Sequence, residues 1–208
     1  MKKLTAIVLA LILAMSMTCV FAEPAEASFA DLLGTVNGDT YENAALGFGF
    51  KAEDWKFLSE EEIAANMQLT KALLGEEAAK YLESGTQLQV MMATAPDGIT
   101  NINAVATYLG SNAAAIEQYG LENVMEAGKS EFASTIQNAG LKVDSLEVVK
   151  FQVAGKEIPT YKCQLSAFGV SLVSDGLYFI SGDYMVIITI SALDDATAED
   201  VMNGIYWL

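Results

Sequence analysis

The chain has 208 residues with 27 acidic and 11 basic side chains, a formal net charge of −16 at pH 7, and no histidine or arginine. Nucleic acid binding needs a cationic footprint, so this composition argues against that partner class and disfavours anionic membrane surfaces. Without histidine, Ser-His-Asp and Cys-His catalytic pairs and histidine-containing zinc sites cannot form. Carboxylates, lysine, tyrosine and serine remain as candidate catalysts, but no particular pair among 27 acids is singled out.

The first 22 residues, MKKLTAIVLALILAMSMTCVFA, predict a signal peptide. Two lysines precede an apolar run that is too short for a membrane span, and small residues precede Ala22, the predicted cleavage position. A second cleavage site at residues 25–27 stays open. Lipidation at Cys19 also stays open, although Thr18 stands where a smaller residue is expected. We therefore expect an exported protein that is secreted or extracytoplasmic, with no membrane span in the mature chain.

Residues 23–39 are interpreted as a polar lead-in segment with one short helical turn near residues 29–33. Residues 34–39, GTVNGD, lack the lysine and serine or threonine of a phosphate-binding loop and are interpreted as a turn. Residues 40–208 show no internal repeat or linker, so they predict a single domain.

The stretch that follows is rich in aromatic residues. Apolar side chains recur at every second position at Leu46, Phe48 and Phe50, and again at Trp55 and Phe57. Period-two spacing predicts strands with one buried face, and Gly47 and Gly49 allow a close approach on the opposite face. We therefore interpret these rings as core, and Trp55→Ala is expected to cost about 3–5 kcal/mol of stability.

A helix is predicted to begin at Ser59, because Ser59 and Glu62 have the spacing of a capping box. Gly75 is expected to bend or end it before a shorter segment, 76–83. Glu60, Glu61 and Glu62 are interpreted as first-turn acids that suit the positive end of the helix dipole.

Alternation and turn residues predict the later elements. Two strands, 87–95 and 101–109, flank a turn at residues 96–98, and at most one of Met91 and Met92 is expected to face the core. A long helix spans 121–139 and stops at Gly140. Four hairpin-connected strands follow at 143–153, 157–166, 170–181 and 184–192, and a last helix covers 194–208. The fold class is therefore α+β, with an antiparallel-rich central sheet and packed helices.

Cys163 is left without an intrachain partner if Cys19 is removed with the signal. It shares a strand face with Tyr161 and Leu165, so we interpret it as a small apolar core residue, and we expect slow labelling by thiol reagents.

Four acids, Asp194, Asp195, Glu199 and Asp200, form the densest acidic group. Oxygen-rich clusters bind Ca²⁺, but the spacing does not match an EF-hand, and a helix N-terminus favours carboxylates in any case. Helix capping is the preferred interpretation. Bound calcium is the alternative, and no other cofactor is expected.

The order of these parts resembles the Mog1/PsbP-like fold. Tyr41-x-Asn43, then Gly47-Phe-Gly-Phe50, then Trp55, is similar to the N-terminal signature of that family, although Ala52-Glu-Asp54 replaces the usual proline before the tryptophan. The resemblance spans nearly all of residues 38–208 and implies an α/β/α sandwich. It also implies a domain that acts by binding partners, and it brings no catalytic residue.

The leading functional hypothesis is an exported, non-catalytic binding or accessory domain of the bacterial cell envelope. It would dock an unknown protein or cell-wall component through a sheet edge or a groove beside the helices. The alternative is a secreted hydrolase that uses carboxylates, with or without Ca²⁺. The sequence assigns no catalytic, cofactor-binding or metal-binding residue.

Overall fold

The computed structural model describes residues 32–65, 87–138, 140–167 and 169–208. The signal peptide, most of the predicted lead-in, and segment 76–83 fall outside these ranges. The strands are β1 Thr35–Asn37, β2 Thr40–Asn43, β3 Phe48–Lys51, β4 Lys56–Phe57, β5 Gln87–Thr94, β6 Asn101–Tyr108, β7 Lys142–Val153, β8 Lys156–Ala167, β9 Val170–Ser181, β10 Tyr184–Ala192 and β11 Ile205–Trp207. The helices are α1, described over 60–65, α2 Asn112–Tyr119, α3 Leu121–Asn138 and α4 Asp195–Met202.

Seven strands form one antiparallel sheet in the order β4-β5-β6-β10-β9-β8-β7. The β7–β8 hairpin turns at Ala154 and Gly155, whose φ angles of 46° and 84° suit a two-residue turn that follows the strand twist. The four predicted C-terminal strands are confirmed to within one residue at each end. The α+β class with an antiparallel sheet that carries helices is likewise confirmed.

A smaller sheet, in the order β1-β2-β3-β11, packs on one face of the large sheet together with α4. Phe48 and Phe50 of β3 are buried in this layer, and the Phe48 ring meets Phe179 of the large sheet edge-on at 6.0 Å. On the opposite side of β3, a Cβ at Gly49 would lie 2.3 Å from the ring of Tyr206. The predicted alternation and the predicted close approach at glycine are therefore both confirmed.

The helices α2 and α3 cover the other face of the large sheet. Three residues at helical spacing in α3 are buried: Met125, Phe132 and Ile136. The Phe132 ring stacks on Tyr161 of β8 at 4.5 Å, and the Tyr161 hydroxyl donates to the backbone carbonyl of Met125. Helix α2 was not among the predicted elements, because its sequence NAAAIEQY has only a weak apolar period. In the structure just two of its residues, Ala113 and Ile116, are buried.

Cys163 is a free, buried cysteine on this same face, as its position in β8 predicted. Burial, with nearby Asp175 and Asp144, raises the pKa of its thiol to about 12. A thiolate is the nucleophile in thiol chemistry, so the expected slow labelling has a physical basis.

The predicted capping box is confirmed. The Glu62 carboxylate accepts the backbone N–H of Ser59 at 3.0 Å, and the Ser59 hydroxyl accepts the backbone N–H of Glu62 at 3.3 Å. Lys56 also donates to Glu62. Hydrogen bonds from Lys56 and Ser59 therefore hold the pKa of Glu62 below its usual value.

The prediction of a helix through residue 208 is wrong. Helix α4 ends at Met202, and Ile205–Trp207 pairs with β3 as strand β11. Gly204 lies where a Cβ would approach the carbonyl of Lys51 to 2.5 Å, so the chain crosses β3 too closely for a helix to continue. As a result Ile205 is buried, whereas Leu208 is exposed rather than on an inner face.

Two N-terminal interpretations also need revision. Residues 34–39 are not only a turn, since Thr35–Asn37 forms strand β1 and only Gly38 and Asp39 connect it to β2. Trp55 and Phe57 pack edge-on against Phe50 but are only partly buried. The cost of Trp55→Ala is therefore expected at the lower end of the range for core aromatic residues.

Candidate docking groove

A cavity of about 540 Å³ opens between the two sheets on the side of β1 and β5. We call it the β1–β5 groove. Its walls are four consecutive residues before and within β1, six consecutive residues of β5, and the start of α1. The lining residues are Leu33, Gly34, Thr35, Val36, Tyr41, Phe57, Leu58, Ser59, Glu60, Ile63, Ala64, Gln87, Leu88, Gln89, Val90, Met91 and Met92.

The groove exists because strand β4 leaves the edge of β5 early. Residues Lys56 and Phe57 pair with Thr94 and Ala93, and the backbone N–H of Leu58 then donates to the carbonyl of Met92 at 2.9 Å. At the next residue the capping box of α1 turns the chain away from the sheet. Strand β4 therefore pairs with only the last two residues of β5, Ala93 and Thr94.

The Tyr41-x-Asn43 motif builds the opposite wall. The Asn43 side-chain amide donates to the carbonyl of Leu32 at 2.7 Å and to the Tyr41 hydroxyl at 2.9 Å, and its oxygen accepts the backbone N–H of Leu46 at 3.0 Å. The Tyr41 hydroxyl in turn donates to the carbonyl of Val90 at 3.1 Å. This buried network ties the segment before β1 to strand β5.

Burial raises the pKa of Tyr41 to about 12, against the opposing effect of its hydrogen bonds with Asn43 and the backbone of Gly34. The hydroxyl is therefore neutral at physiological pH and holds its proton for Val90. The motif that indicated a family resemblance in the sequence is thus a structural connection between the two sheets.

The groove surface is apolar and partly exposed. Leu33 is 39% exposed and Val36 is 50% exposed, which makes them two of the few large apolar side chains at the surface of the described chain. Met91 packs into the main core, while Met92 packs on Leu58 and Ile63. Only Met91 belongs to the main core, as expected from the alternation, although both methionines are buried.

Gln89 is the unusual polar residue of the groove. Its side chain is only 8% exposed, and its Nε2 has no hydrogen-bond partner within the residues that the structure describes. A buried amide without a partner costs about 1–3 kcal/mol, so such groups are uncommon in native structures. Sequence reasoning missed Gln89, because glutamine in an alternating strand is normally assigned to the solvent face.

A second polar group that sequence reasoning missed is Asp175 of β9. It is 1% exposed and lies directly across from Lys162 of β8. Lys162 forms an ion pair with Asp195 of α4, with 2.7 Å between Nζ and Oδ1. Desolvation raises the pKa of Asp175 to about 7, against the lowering effect of Lys162 and with a further increase from Asp195 and Glu199. Its only signal in the sequence is a charge inside the apolar run SLVSDGLYFI.

The predicted capping role of the acidic group near α4 is confirmed for Asp194, whose carboxylate accepts the backbone N–H of Thr197 at 2.8 Å. Asp195 instead pairs with Lys162. In the ranges described, no set of three or more acidic or cysteine side chains is gathered closely enough to hold a metal ion.

A second cavity, of about 570 Å³, lies between β3, α4 and the turn after β5. Trp55, Asp97 and Asp200 contribute to its wall. Both oxygens of Asp97 are engaged by Thr100 and by the backbone N–H of Ile99, at 2.6–2.8 Å. Burial raises the pKa of Asp97, but these hydrogen bonds outweigh it and lower the pKa overall. Asp97 is therefore a turn-forming carboxylate.

Among the residues with a described placement, no helix is both long and apolar enough to cross a membrane.

The fold and groove define an α+β domain with a cleft between two sheets. No known protein family matches the chain, and no curated protein is similar to it in sequence. Solved structures that are similar include a protein from Bacteroides thetaiotaomicron, at 14% identity and a TM-score of 0.43 over 83% of this chain. The chain spans about half of that protein, 49%.

Two further similar structures are those of named proteins. One is the cyanobacterial PsbP of Synechocystis sp. PCC 6803, with 8% identity, a TM-score of 0.44, and coverage of 91% of this chain and 99% of that chain. The other is LpqN, described as involved in cell envelope biogenesis of Mycobacterium tuberculosis, with 13% identity, a TM-score of 0.37, and coverage of 75% and 79%. A PsbP structure is thus among the matches. At these levels the likeness brings no activity to this chain.

Proposed function

We propose that this protein is an exported accessory domain of the bacterial cell envelope that binds a partner protein in the β1–β5 groove. The observation that carries the proposal is the groove itself, an apolar cavity of about 540 Å³ between the outer strand β1 and strand β5. A concave, mostly apolar site with a few polar groups is the usual form of a binding site. The predicted signal peptide supports the proposed location.

The direct test is site-specific photo-crosslinking in cells. A photoreactive amino acid replaces Val36 in the groove in one variant and Leu193 in the control variant; these side chains are 50% and 46% exposed. We expect the Val36 variant to crosslink one defined protein that the Leu193 variant does not. Equal products from both variants, or none from either, would contradict groove docking.

The hydrolase hypothesis retains one observation in its favour. A carboxylate whose pKa is raised to about 7 has the property of a general acid, and Asp175 has it. Asp175 is buried beneath α4, however, and it lines neither of the two cavities described above. The test is a hydrolysis assay on cell-wall glycan and peptide with the wild-type protein and Asp175→Asn. Activity that Asp175→Asn abolishes would favour the enzyme. Calcium titration by calorimetry tests the metal alternative.

A further inference from the structure

We infer that the partner enters the β1–β5 groove as an extended, cationic segment that adds to the outer edge of β1 and carries apolar side chains at alternate positions. This inference rests on the proposed function and names the chemistry of the partner.

The two strand edges at the groove differ in which backbone groups are still available for hydrogen bonding among the described residues. On β5, the carbonyl of Val90 already accepts the Tyr41 hydroxyl, and the carbonyl of Met92 accepts the N–H of Leu58. On β1, the strand pairs with β2 on one side, and all three of its residues are exposed. Within the described chain nothing pairs with its other side. An exposed strand edge is a template for pairing with another chain, so β1 is the edge available for strand addition.

Side chains of an added strand alternate between two faces. Every second one would point to the floor that Leu33, Leu88 and Met91 help to form, and the others would point to solvent. This geometry selects apolar residues at alternate positions. It also gives Gln89 a role, because its Nε2, which has no partner among the described residues, can donate to a carbonyl or side-chain oxygen that the segment brings into the groove.

The acidic charge of this protein favours basic residues at the solvent-facing positions of the added segment. Glu60 is the single charged residue among the described residues that line the groove, and the chain as a whole carries −16. A field of this sign attracts cationic segments and repels a second copy of the same chain. A basic partner is therefore favoured over self-association, and a homodimer becomes an outcome that sedimentation measurements can detect.

The probe is an eight-residue peptide of alternating lysine and valine, measured against the full mature protein by fluorescence anisotropy. Three matched peptides test each element of the inference. One has proline in place of the two central valines, one has glutamate in place of every lysine, and one has the same composition with lysines and valines in separate blocks. We expect each change to weaken binding at least tenfold.

Two variants with matched exposure locate the site. Val36→Lys should weaken binding of the lysine–valine peptide at least tenfold, while Leu193→Lys, which adds the same charge elsewhere, should leave it within twofold. Gln89→Leu should weaken binding about tenfold, the usual worth of one buried hydrogen bond, without lowering the melting temperature. A peptide that still binds Val36→Lys as tightly as the wild type overturns the inference.

The outcomes separate this inference from the proposed function. If Val36 crosslinks a defined partner but the proline peptide binds as well as its parent, strand addition is wrong and groove docking stands. If the glutamate peptide binds best, the predicted charge is wrong. If Val36 crosslinks nothing, the proposed function itself fails. A concentration-dependent dimer that Val36→Lys abolishes would identify a second copy as the occupant and contradict the inference.

Discussion

The two ends of this molecule's sheets have opposite surface chemistry. Strand β7, the outer strand of the large sheet, carries charged residues along its length, at Lys142, Asp144, Glu147 and Lys150, and its register shifts at residues 143–145. Lys150 also pairs with Glu122 of α3 at 2.8 Å. Charges and bulges are the usual means by which proteins protect a sheet edge from pairing.

The strands that border the β1–β5 groove carry no such charges, although β5 has a register shift of its own between Gln89 and Met91. The β5 residues that line it, QLQVMM, contain no charge, and Val36 of β1 is half exposed. Among the described residues, the twelve-residue edge at β7 is charged, whereas the edge at the groove is apolar. The apolar edge at the groove is therefore the one to test for a partner.

The largest expected effect concerns the buried Asp175 of β9, two strands in from β7. The pKa of Asp175 is about 7 in the folded protein and near 3.8 in an unfolded chain, so between these values the folded state retains a proton that the unfolded state releases. The stability that comes from this retained proton is therefore fully present below pH 4 and lost as pH rises through 7. The loss is about 1.4 kcal/mol per pH unit between the two pKa values.

Asp175→Asn should abolish this dependence. The variant should equal the wild type near pH 4 and exceed it at pH 8 by about 3–4 kcal/mol, measured by urea unfolding across the pH range. The groups that face Asp175 are Lys162, Asp195 and Glu199, with Glu147 at the outer end of the same cross-strand row. A constant difference between variant and wild type at all pH values would contradict the assigned ionisation.

The next effect tests the scaffold of the groove. Asn43→Ala removes three hydrogen bonds and leaves the carbonyl of Leu32 and the N–H of Leu46 buried without these partners. We expect a loss of about 3 kcal/mol in the free energy of unfolding. Glu147→Ala on β7 is the control and should change stability by less than about 0.5 kcal/mol. If Asn43→Ala and Glu147→Ala lowered the free energy of unfolding equally, the hydrogen bonds of Asn43 would not stabilise the groove wall.

A third prediction concerns protection at β7. Replacing Glu147 and Lys150 together with valine should make this long edge adhesive, because it removes charge while it raises β propensity. Light scattering should show concentration-dependent association of the double variant, and the wild type should stay monodisperse. If the double variant also stays monodisperse, the charges do not explain why this edge is unpaired.

The smallest effect is at Gln89. Gln89→Leu removes a buried Nε2 that has no partner among the described residues, so the free energy of unfolding should stay constant or rise by up to about 1 kcal/mol. Gln87→Leu is the comparison, because Gln87 Nε2 donates to the Thr107 hydroxyl at 3.1 Å and its loss should destabilise slightly. A clear destabilisation by Gln89→Leu would show that this amide has a structural role.

Local chemistry allowed much of this fold to be predicted. Three elements depend on residues only a few positions apart, so the sequence is sufficient to predict them. They are the alternation of Phe48 and Phe50, the Ser59–Glu62 capping box, and the tight turn at Ala154-Gly155. The same applies to Cys163, whose burial follows from its strand face.

The other features of the fold depend on contacts between segments that are distant in the sequence. Residues 205–207 have a pattern that suits a helix, but pairing with β3 makes them a strand. The groove joins residues 33–36 to residues 87–92, more than fifty positions away, and no local pattern predicts that they meet. The burial of Asp175 depends in the same way on helix α4, which covers strand β9. Each of these features arises from contacts between distant segments, whose burial and pairing energies outweigh local preference.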